Sequence, residues 1–208
     1  MSQQAAVTRE ESFTADAEPY TNRCTVVAAI DAGYERLTPY NASLLLIDHQ
    51  VGPLWELNFA ETRRSVVTLA LASREMRLPT IVTAIGLDVW GAVIPELTAA
   101  VGDAPHVVRA EVNAWENPSV RELVVRTQRK KLIIAGGAAP VAVALCALSA
   151  AQAGFDVYTP VDASAQFSHA AITRLSRGGV IITTTALVLG ELTSDSEPRH
   201  GRPHGSLR

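Results

Sequence analysis

Six short, almost continuously apolar segments restrict the fold of this chain more than any other feature of its sequence. Apolar side chains occupy consecutive positions in them instead of every second one, which is typical of strands buried on both faces of a parallel sheet. The six segments are residues 43–47, 80–84, 106–108, 131–135, 156–159 and 180–184.

Helical patterns fill the intervals between these segments. The predicted helices span about residues 61–77, 93–100, 118–129, 141–153, 170–177 and 186–192. Asn117 and Pro118 mark one helix start, because a capping side chain is followed by proline in the first turn. Strands alternating with helices predict an α/β fold, a doubly wound six-stranded parallel sheet with helices on both faces and the common strand order 3-2-1-4-5-6.

The length of 208 residues suits one domain with a full hydrophobic core. Hydrophobic residues make up 48% and charged residues 19% of the chain, a composition that argues against disorder of the whole molecule. The polar start and the Ser-, Pro- and Gly-rich end nevertheless lack such patterns. We therefore predict a partly mobile N-terminal extension at 1–33, one domain at 34–192 and a disordered tail at 193–208.

Charge and cysteine usage exclude several classes of protein. Eighteen Lys and Arg residues against 21 Asp and Glu residues give a net charge of −3 and a pI near 6.0, whereas a protein that binds nucleic acid through its phosphates is expected to be basic. The chain has no run of 18 apolar residues, so no membrane span is expected. Two cysteines cannot form a disulfide framework, and the first residues lack the apolar core of a signal peptide. We therefore expect a cytoplasmic protein.

Asp48 follows the first predicted strand directly. In doubly wound sheets ligands bind at the carboxyl ends of the strands where the strand order reverses, here beside strands one and four. A partly desolvated carboxylate at this place can act as a general acid or base, although a cap for the following turn explains it equally well. His49 is expected on the opposite face with a structural role. The segment 136–139, Gly-Gly-Ala-Ala, lacks both the spaced glycines of a dinucleotide fingerprint and the lysine of a phosphate loop, so no nucleotide cofactor is expected.

Three segments of the sequence read LLLIDHQVGPL, VVRAEVNAWENPSV and KLIIAGGAAPVAVALCALSAAQAGFDVYTPVDA. Together they resemble the isochorismatase-like cysteine hydrolase superfamily. The resemblance extends over about residues 34–192 and is strongest to a branch of oligomeric hydrolases of uncertain substrate. It implies a small-molecule substrate and self-association into a homo-oligomer.

The family uses an Asp after strand one, a basic residue after strand three and a Cys at the start of the helix after strand four. The resemblance assigns these positions to Asp48, Arg109 and Ala142, and most members carry Lys where this chain has Arg109. A methyl group at position 142 cannot attack a substrate, so hydrolysis through a thioester is not expected. The neighbouring residues 138–140 also depart from the family pattern, which favours a natural loss over a single engineered change.

The two cysteines do not replace the missing nucleophile in this interpretation. Cys146 lies one helical turn beyond Ala142, about 6 Å deeper, and we predict that it is a buried core residue. Cys24 lies in the extension and reaches a site only if that arm folds over a neighbouring subunit.

Several residues near the expected site are candidates for contact with a substrate. Trp55, Trp90 and Trp115 fall in predicted loops at the carboxyl side of the sheet, where they either form the wall of an apolar pocket or anchor loops and subunit contacts. The predicted substrate-binding set is Trp90, Asn113, Trp115, Ala138 and Val143.

Two further expectations follow from the resemblance. Nicotinamidase-type members carry an Asp-x-His group after strand two, whereas Asp88 has no histidine partner there, so no metal is expected. Many members also hold a cis peptide bond that corresponds here to Gly137–Ala138, and we expect it to be retained.

Two functions remain open at this point. The first is Cys-independent hydrolysis, in which Asp48 acts as a general acid, Arg109 binds a substrate carboxylate and the amides of Ala142 and Val143 polarise it. The second is a catalytically inactive family member that serves as a binding or structural oligomer subunit. The altered segment 138–140 favours the second function, and the presence of Asp48 and Arg109 favours the first.

Overall fold

A parallel sheet of six strands forms the centre of the protein in its computed structural model, which describes residues 35–52, 59–137, 139–165 and 167–194. The strand order is β3-β2-β1-β4-β5-β6, and every pairing is parallel. The predicted order is therefore confirmed. The strands are β1 (Ala42–Ile47), β2 (Thr80–Ile85), β3 (His106–Arg109), β4 (Lys131–Gly136), β5 (Asp156–Pro160) and β6 (Ile181–Thr183).

Helices follow the strands as the sequence pattern predicts, with different ends. They are α1 (Ala60–Glu75), α2 (Leu87–Trp90), α3 (Pro95–Val101), α4 (Pro118–Arg126), α5 (Ala144–Gln152), α6 (His169–Arg177) and α7 (Thr185–Thr193). Two short turns of other helix types, Ala114–Glu116 and Ala139–Val143, precede α4 and α5. None of the helices in the described part of the chain is long and apolar enough to cross a membrane.

Local backbone geometry explains why one predicted helix and one predicted strand were too long. Helix α4 ends at Arg126 instead of residue 129, because Gln128 adopts a left-handed conformation with φ of 55°. Strand β6 is shorter than 180–184, since the Val180 amide donates to the Leu175 carbonyl and the Thr184 hydroxyl caps α7.

The core has two halves, one on each face of the sheet, and β1 contributes to both. Leu44 and Leu46 pack on the face covered by α1 and α3, whereas Leu45 and Ile47 pack on the face covered by α4 and α5. All six residues of β1 are buried. This alternation explains the continuous apolar run in the sequence, because successive side chains of a strand point to opposite faces.

The carboxyl ends of β1 and β4 approach each other closely. A Cβ at Gly136 would overlap the Val143 side chain and lie 2.8 Å from the Ile47 carbonyl oxygen, and one at Gly137 would overlap the Asp48 carbonyl oxygen. The Gly137 amide donates to the Ile47 carbonyl at 2.8 Å. The glycine pair therefore serves close backbone packing beside the site.

Some predictions fall on residues outside the described part of the chain. These are the extension at 1–33 with Cys24, nearly all of the tail at 193–208, Trp55, and Ala138 with the peptide bond that precedes it. They stay predictions.

Candidate active site

Asp48 is the first residue after β1 and has a left-handed backbone with φ of 54°. Its amide donates to the Thr83 carbonyl of β2 at 3.0 Å, so the backbone at this position is held by the neighbouring strand. Left-handed geometry is uncommon for residues other than glycine and is tolerated best by Asp and Asn. The end of β1 therefore changes direction at the residue that the sequence singles out.

Arg109, the last residue of β3, forms a buried ion pair with Asp48. Its Nη2 atom lies 2.5 Å from Oδ2 of the carboxylate, and the side chains of Arg109 and Asp48 are 0% and 2% exposed. Strands β1 and β3 both flank β2, so their carboxyl ends lie at the same edge of the sheet. The sheet thus brings together two charges that are 61 positions apart in the chain.

The remaining donors of Arg109 are bonded to protein groups. Nη1 donates to the carbonyls of Glu111 and Val112, and Nε lies 3.4 Å from the Thr83 hydroxyl. The guanidinium is therefore buried, and each of its three nitrogens has a partner. Its donors already hold Asp48 and the loop after β3, and the binding of a substrate carboxylate by Arg109 stays a prediction.

Burial and charge act in opposite directions on Asp48. Desolvation is the larger effect and raises the pKa of Asp48 above its ordinary value, while the charge and hydrogen bond of Arg109 act to lower it. Oδ2 is bound to Arg109, whereas Oδ1 is buried without a hydrogen-bond partner. An added proton would therefore bind to Oδ1, because Oδ2 is already hydrogen-bonded to Arg109.

A cavity of about 250 Å³ lies beside this ion pair. Asp48 and Ala142 line it together, so the residues that the sequence analysis expected at the acidic and the nucleophile positions share one space. Ala142 belongs to the helical turn Ala139–Val143 that precedes α5. The described residues that line it are Asp48, Gln50, Ile85, Trp90, Val112, Val141 and Ala142.

Of the five residues predicted to contact a substrate, Trp90 lines this cavity and three others do not. Trp115 is buried in the core and packs edge-on against Phe155, with ring centres 5.3 Å apart. Asn113 accepts a hydrogen bond from the Trp115 amide and donates to Ser149 and Glu116 side chains.

Val143 is also a core residue, fully buried on the α5 face of the sheet. The side chains of Asn113, Trp115 and Val143 are thus used in packing and helix capping, and contact of these residues with a substrate stays a prediction. Ala138 lies outside the described residues.

His49 and Cys146 are structural residues, as the sequence indicates. The Nε2 atom of His49 lies 3.0 Å from the Ala163 carbonyl, and burial lowers the pKa of His49 to about 4. Cys146 is completely buried in the core, and burial raises the pKa of its thiol to about 12. A thiol in this state is not a nucleophile at neutral pH.

Gln50 is a site residue that the sequence analysis missed. Its Nε2 donates to the carbonyls of Ile85 and Gly91 at 3.0 and 2.6 Å, and its Oε1 accepts from the Ile85 amide at 3.0 Å. Gln50 thereby ties the end of β2 to Gly91, which follows Trp90 at the end of α2. Its position two residues after Asp48 was the available signal, but its partners lie 35 and 41 positions away and no local pattern indicates them.

The residues that the structure describes contain no cluster of three or more His, Cys, Asp or Glu side chains that could hold a metal ion. Asp88 is an exposed residue of α2. The absence of a metal stays a prediction.

Comparison with known proteins places this site in a family context. A family model described as an isochorismatase domain matches residues 42–186. The probable hydrolase YcaC of Escherichia coli (strain K12) is 38% identical over 171 residues, which make up 78% of this chain and 82% of that relative.

Solved structures give the same answer. The structure of the YcaC gene product from Escherichia coli, described as an octameric hydrolase of unknown specificity, has a TM-score of 0.73 at 37% identity and covers 77% of this chain and 83% of its own. The structure of YcaC from Pseudomonas aeruginosa, solved with hexane-2,5-diol and covalent acrylamide, has a TM-score of 0.73 at 36% identity. The match covers 77% of this chain and 84% of the Pseudomonas aeruginosa chain. With its sheet order, its Asp48–Arg109 pair and these matches, the chain belongs to the isochorismatase family.

Proposed function

We propose that this protein is a hydrolase-like member of the isochorismatase family that binds a small molecule beside Asp48 and hydrolyses it without a cysteine nucleophile. One observation supports this proposal above all others: Asp48 and Ala142 line the same cavity of about 250 Å³. One oxygen of the Asp48 carboxylate is buried without a hydrogen-bond partner in the described residues, and the side chain of Ala142 is only a methyl group.

Asp48 acts as the general acid in this proposal. Its protonated carboxyl transfers a proton to the substrate, which weakens the bond to be cleaved, and a water molecule adds to the electron-poor carbon. The added water then loses a proton, which returns to the Asp48 carboxylate. The net change is the addition of one water across the cleaved bond, and the acid is regenerated.

Arg109 is a positioning residue in this scheme. Its guanidinium stabilises the Asp48 carboxylate that remains after proton transfer, and its bonds to the loop after β3 keep that carboxylate in place. Burial raises the pKa of Asp48 and Arg109 limits that rise, so the two effects together determine how readily the proton is released.

The proposal is tested by comparing Asp48→Asn with the unchanged protein on vinyl ether, ester and amide substrates. Asparagine cannot deliver the proton, so kcat/KM should fall by about 10²–10⁴-fold on the substrate that is turned over. Asp103→Asn is the matched control, because Asp103 is exposed and does not line the cavity. Full activity of the Asp48→Asn variant contradicts the assignment.

Alkylation separates this chemistry from thiol catalysis. Treatment of the folded protein with iodoacetamide should leave the hydrolysis rate unchanged, since Cys146 is buried and Ala142 replaces the nucleophile. Loss of activity on alkylation would instead implicate a cysteine.

The second candidate function is a catalytically inactive binding or structural subunit of a homo-oligomer. The observation that favours it is the Asp48–Arg109 pair itself, because an ion pair at 2.5 Å stabilises the ionised carboxylate and not the acid form. This function is supported if the unchanged protein binds a small molecule but does not hydrolyse any of the vinyl ethers, esters and amides tested.

Self-association is part of both candidates. The Escherichia coli relative is octameric, and an apolar groove of about 290 Å³ runs between α5 and α6 past Val141, Leu145 and Leu148. Val141 is 55% exposed there. We expect a second copy of the chain to cover this groove, and a 22.2 kDa particle by multi-angle light scattering at micromolar concentration would contradict that expectation.

A further inference from the structure

While Asp48 is ionised, the cavity beside it combines an apolar wall with a charge pair that is already neutralised. We propose that it selects uncharged, largely apolar ligands about the size of a singly substituted benzene ring and rejects their anionic and cationic counterparts. This inference rests on the proposed function in one respect, because both assume that the ligand binds in this cavity.

Among the described residues, seven line the cavity and five of these are apolar, namely Ile85, Trp90, Val112, Val141 and Ala142. The two polar residues, Gln50 and Asp48, offer little to a ligand. The Gln50 amide uses both its nitrogen and its oxygen on backbone groups of Ile85 and Gly91. A ligand that enters this space therefore exchanges water for hydrocarbon over most of its surface.

An anionic ligand finds no free cation in the described lining. Arg109 does not line the cavity, its side chain is 0% exposed, and its nitrogens are bonded to Asp48, Thr83 and the loop after β3. A carboxylate would lose its hydration without a counter-ion, which is strongly unfavourable in an apolar space.

A cationic ligand meets a neutralised pair. The Asp48 carboxylate lies 2.5 Å from the Arg109 guanidinium, so the net charge behind this wall is close to zero. A second cation would be attracted by the carboxylate and repelled by the guanidinium, and it would still lose its hydration.

A neutral ligand with one polar group loses less hydration on entering this space than either ion does, because only a charged group needs a counter-charge there. The polar part of the described lining is small, since Gln50 and Asp48 are its only polar residues in the part of the chain that the structure describes. A largely apolar ligand with a single neutral polar group therefore fits this lining best.

The volume limits the size of the ligand. A dry cavity of about 150 Å³ holds one benzene molecule. The space beside Asp48 measures about 250 Å³ and so has room for an aromatic ring with one substituent, but it is smaller than the sites that hold drug-sized molecules.

Three probes of nearly the same shape test the charge preference. Benzamide, benzoate and benzamidinium are titrated into the full-length protein by isothermal titration calorimetry at neutral pH. We expect benzamide to bind tighter than either ion by about tenfold or more, because each ion must leave water without a free counter-charge. Equal or tighter binding of benzoate or benzamidinium overturns the inference, and so does the absence of benzamide binding.

A designed cation in the wall gives the complementary test. Val112→Lys places an ammonium group in the lining and should raise the affinity for benzoate relative to benzamide by about tenfold. Val108→Lys is the matched control, because Val108 is also exposed, lies on the adjacent strand β3 and is not a lining residue. An unchanged preference in Val112→Lys, or an equal change in Val108→Lys, counts against the inference.

These outcomes are distinct from those that test the proposed function. Binding of benzoate in preference to benzamide overturns the charge selection while general acid catalysis by Asp48 still stands. Loss of catalysis in Asp48→Asn is measured on turnover and does not depend on which probe binds.

Discussion

The α-carbon of Gly137 packs against the backbone carbonyl of Asp48, and a Cβ at Gly137 would overlap that oxygen. This contact joins the carboxyl end of β4 to the residue that follows β1. The catalytic carboxylate in our proposal is thus held by a backbone contact that requires the absence of a side chain.

Gly137→Ala should destabilise the protein by about 1–3 kcal/mol, because the added methyl group forces the ends of β1 and β4 apart. Gly190→Ala is the control: Gly190 is exposed within α7, a Cβ there meets nothing within 4 Å, and alanine favours a helix by about 0.5–1 kcal/mol. Urea unfolding of the three proteins measures both changes. Equal free energies of unfolding for the two variants would show that the close packing at Gly137 does not contribute to stability.

Arg109→Met should cost about 3–5 kcal/mol at neutral pH, because it leaves the Asp48 carboxylate buried without its partner. The deficit should shrink as the pH is lowered, since a protonated Asp48 needs no counter-ion. Arg126→Met removes the exposed pair with Glu122 at 3.4 Å and should change stability by less than about 0.5 kcal/mol. A deficit that does not depend on pH would contradict the role of the ion pair.

His49 should make the stability of the protein depend on pH. Burial lowers its pKa from 6.5 to about 4, so between these values the unfolded chain binds a proton that the folded protein does not. Stability from this residue is therefore complete above pH 6.5 and is lost as the pH falls toward 4, by about 3 kcal/mol in total.

The measurement is urea unfolding across this pH range. His49→Gln, whose amide can still donate to the Ala163 carbonyl, should remove this part of the pH dependence. His169→Gln, at an exposed position on α6, should leave it in place. If the free energy of unfolding changes with pH by the same slope in all three proteins, His49 has the same pKa in the folded and unfolded states.

Cys146 should resist iodoacetamide in the folded protein and react after unfolding, because burial raises the pKa of its thiol to about 12. A cysteine introduced by Ala142→Cys should be modified faster than Cys146, since position 142 lines the cavity. Peptide mass spectrometry distinguishes the two sites.

The same Ala142→Cys variant should show little or no amidase activity. We expect that residues 138–140 do not supply the donors that surround a catalytic thiol, and the guanidinium of Arg109 is occupied by Asp48. A vigorous amidase from this one substitution would show that only the nucleophile had been lost.

The sheet could be predicted because strands that are buried on both faces have apolar residues at consecutive positions. Residues 44–47 and 132–135 are apolar at consecutive positions, and the structure has β1 and β4 paired at the centre of the sheet at these positions. Asp48 and Ala142 could be assigned to one edge for the same reason, since both follow central parallel strands whose carboxyl ends lie together.

Segment ends were less predictable, because they depend on single backbone conformations. Gln128 in the left-handed region ends α4, and Gly86 with φ of 49° begins the short helix α2, which was not predicted. One or two dihedral angles decide such ends, and the hydrophobic pattern carries little information about them.

The functions of the loop side chains were decided by tertiary structure alone. Asn113 and Trp115 share a motif with Arg109, but the former two cap a helical turn and fill the core while Arg109 binds Asp48. A loop motif does not indicate which of its side chains turn toward the sheet, the core or the cavity. That choice depends on which neighbours the strand order supplies.

The amino-acid sequence was sufficient for the family, the order of the strands and the expectation that Asp48 and Ala142 lie at one edge of the sheet, because apolar runs and family motifs are local patterns of residue types. The pairing of Arg109 with Asp48 across 61 positions, the clamp that Gln50 forms on Ile85 and Gly91, and the apolar wall around them required the folded chain. The physical reason is that hydrogen-bond partners, desolvation and cavity shape are properties of groups brought together by the sheet, and no segment of the chain contains them by itself.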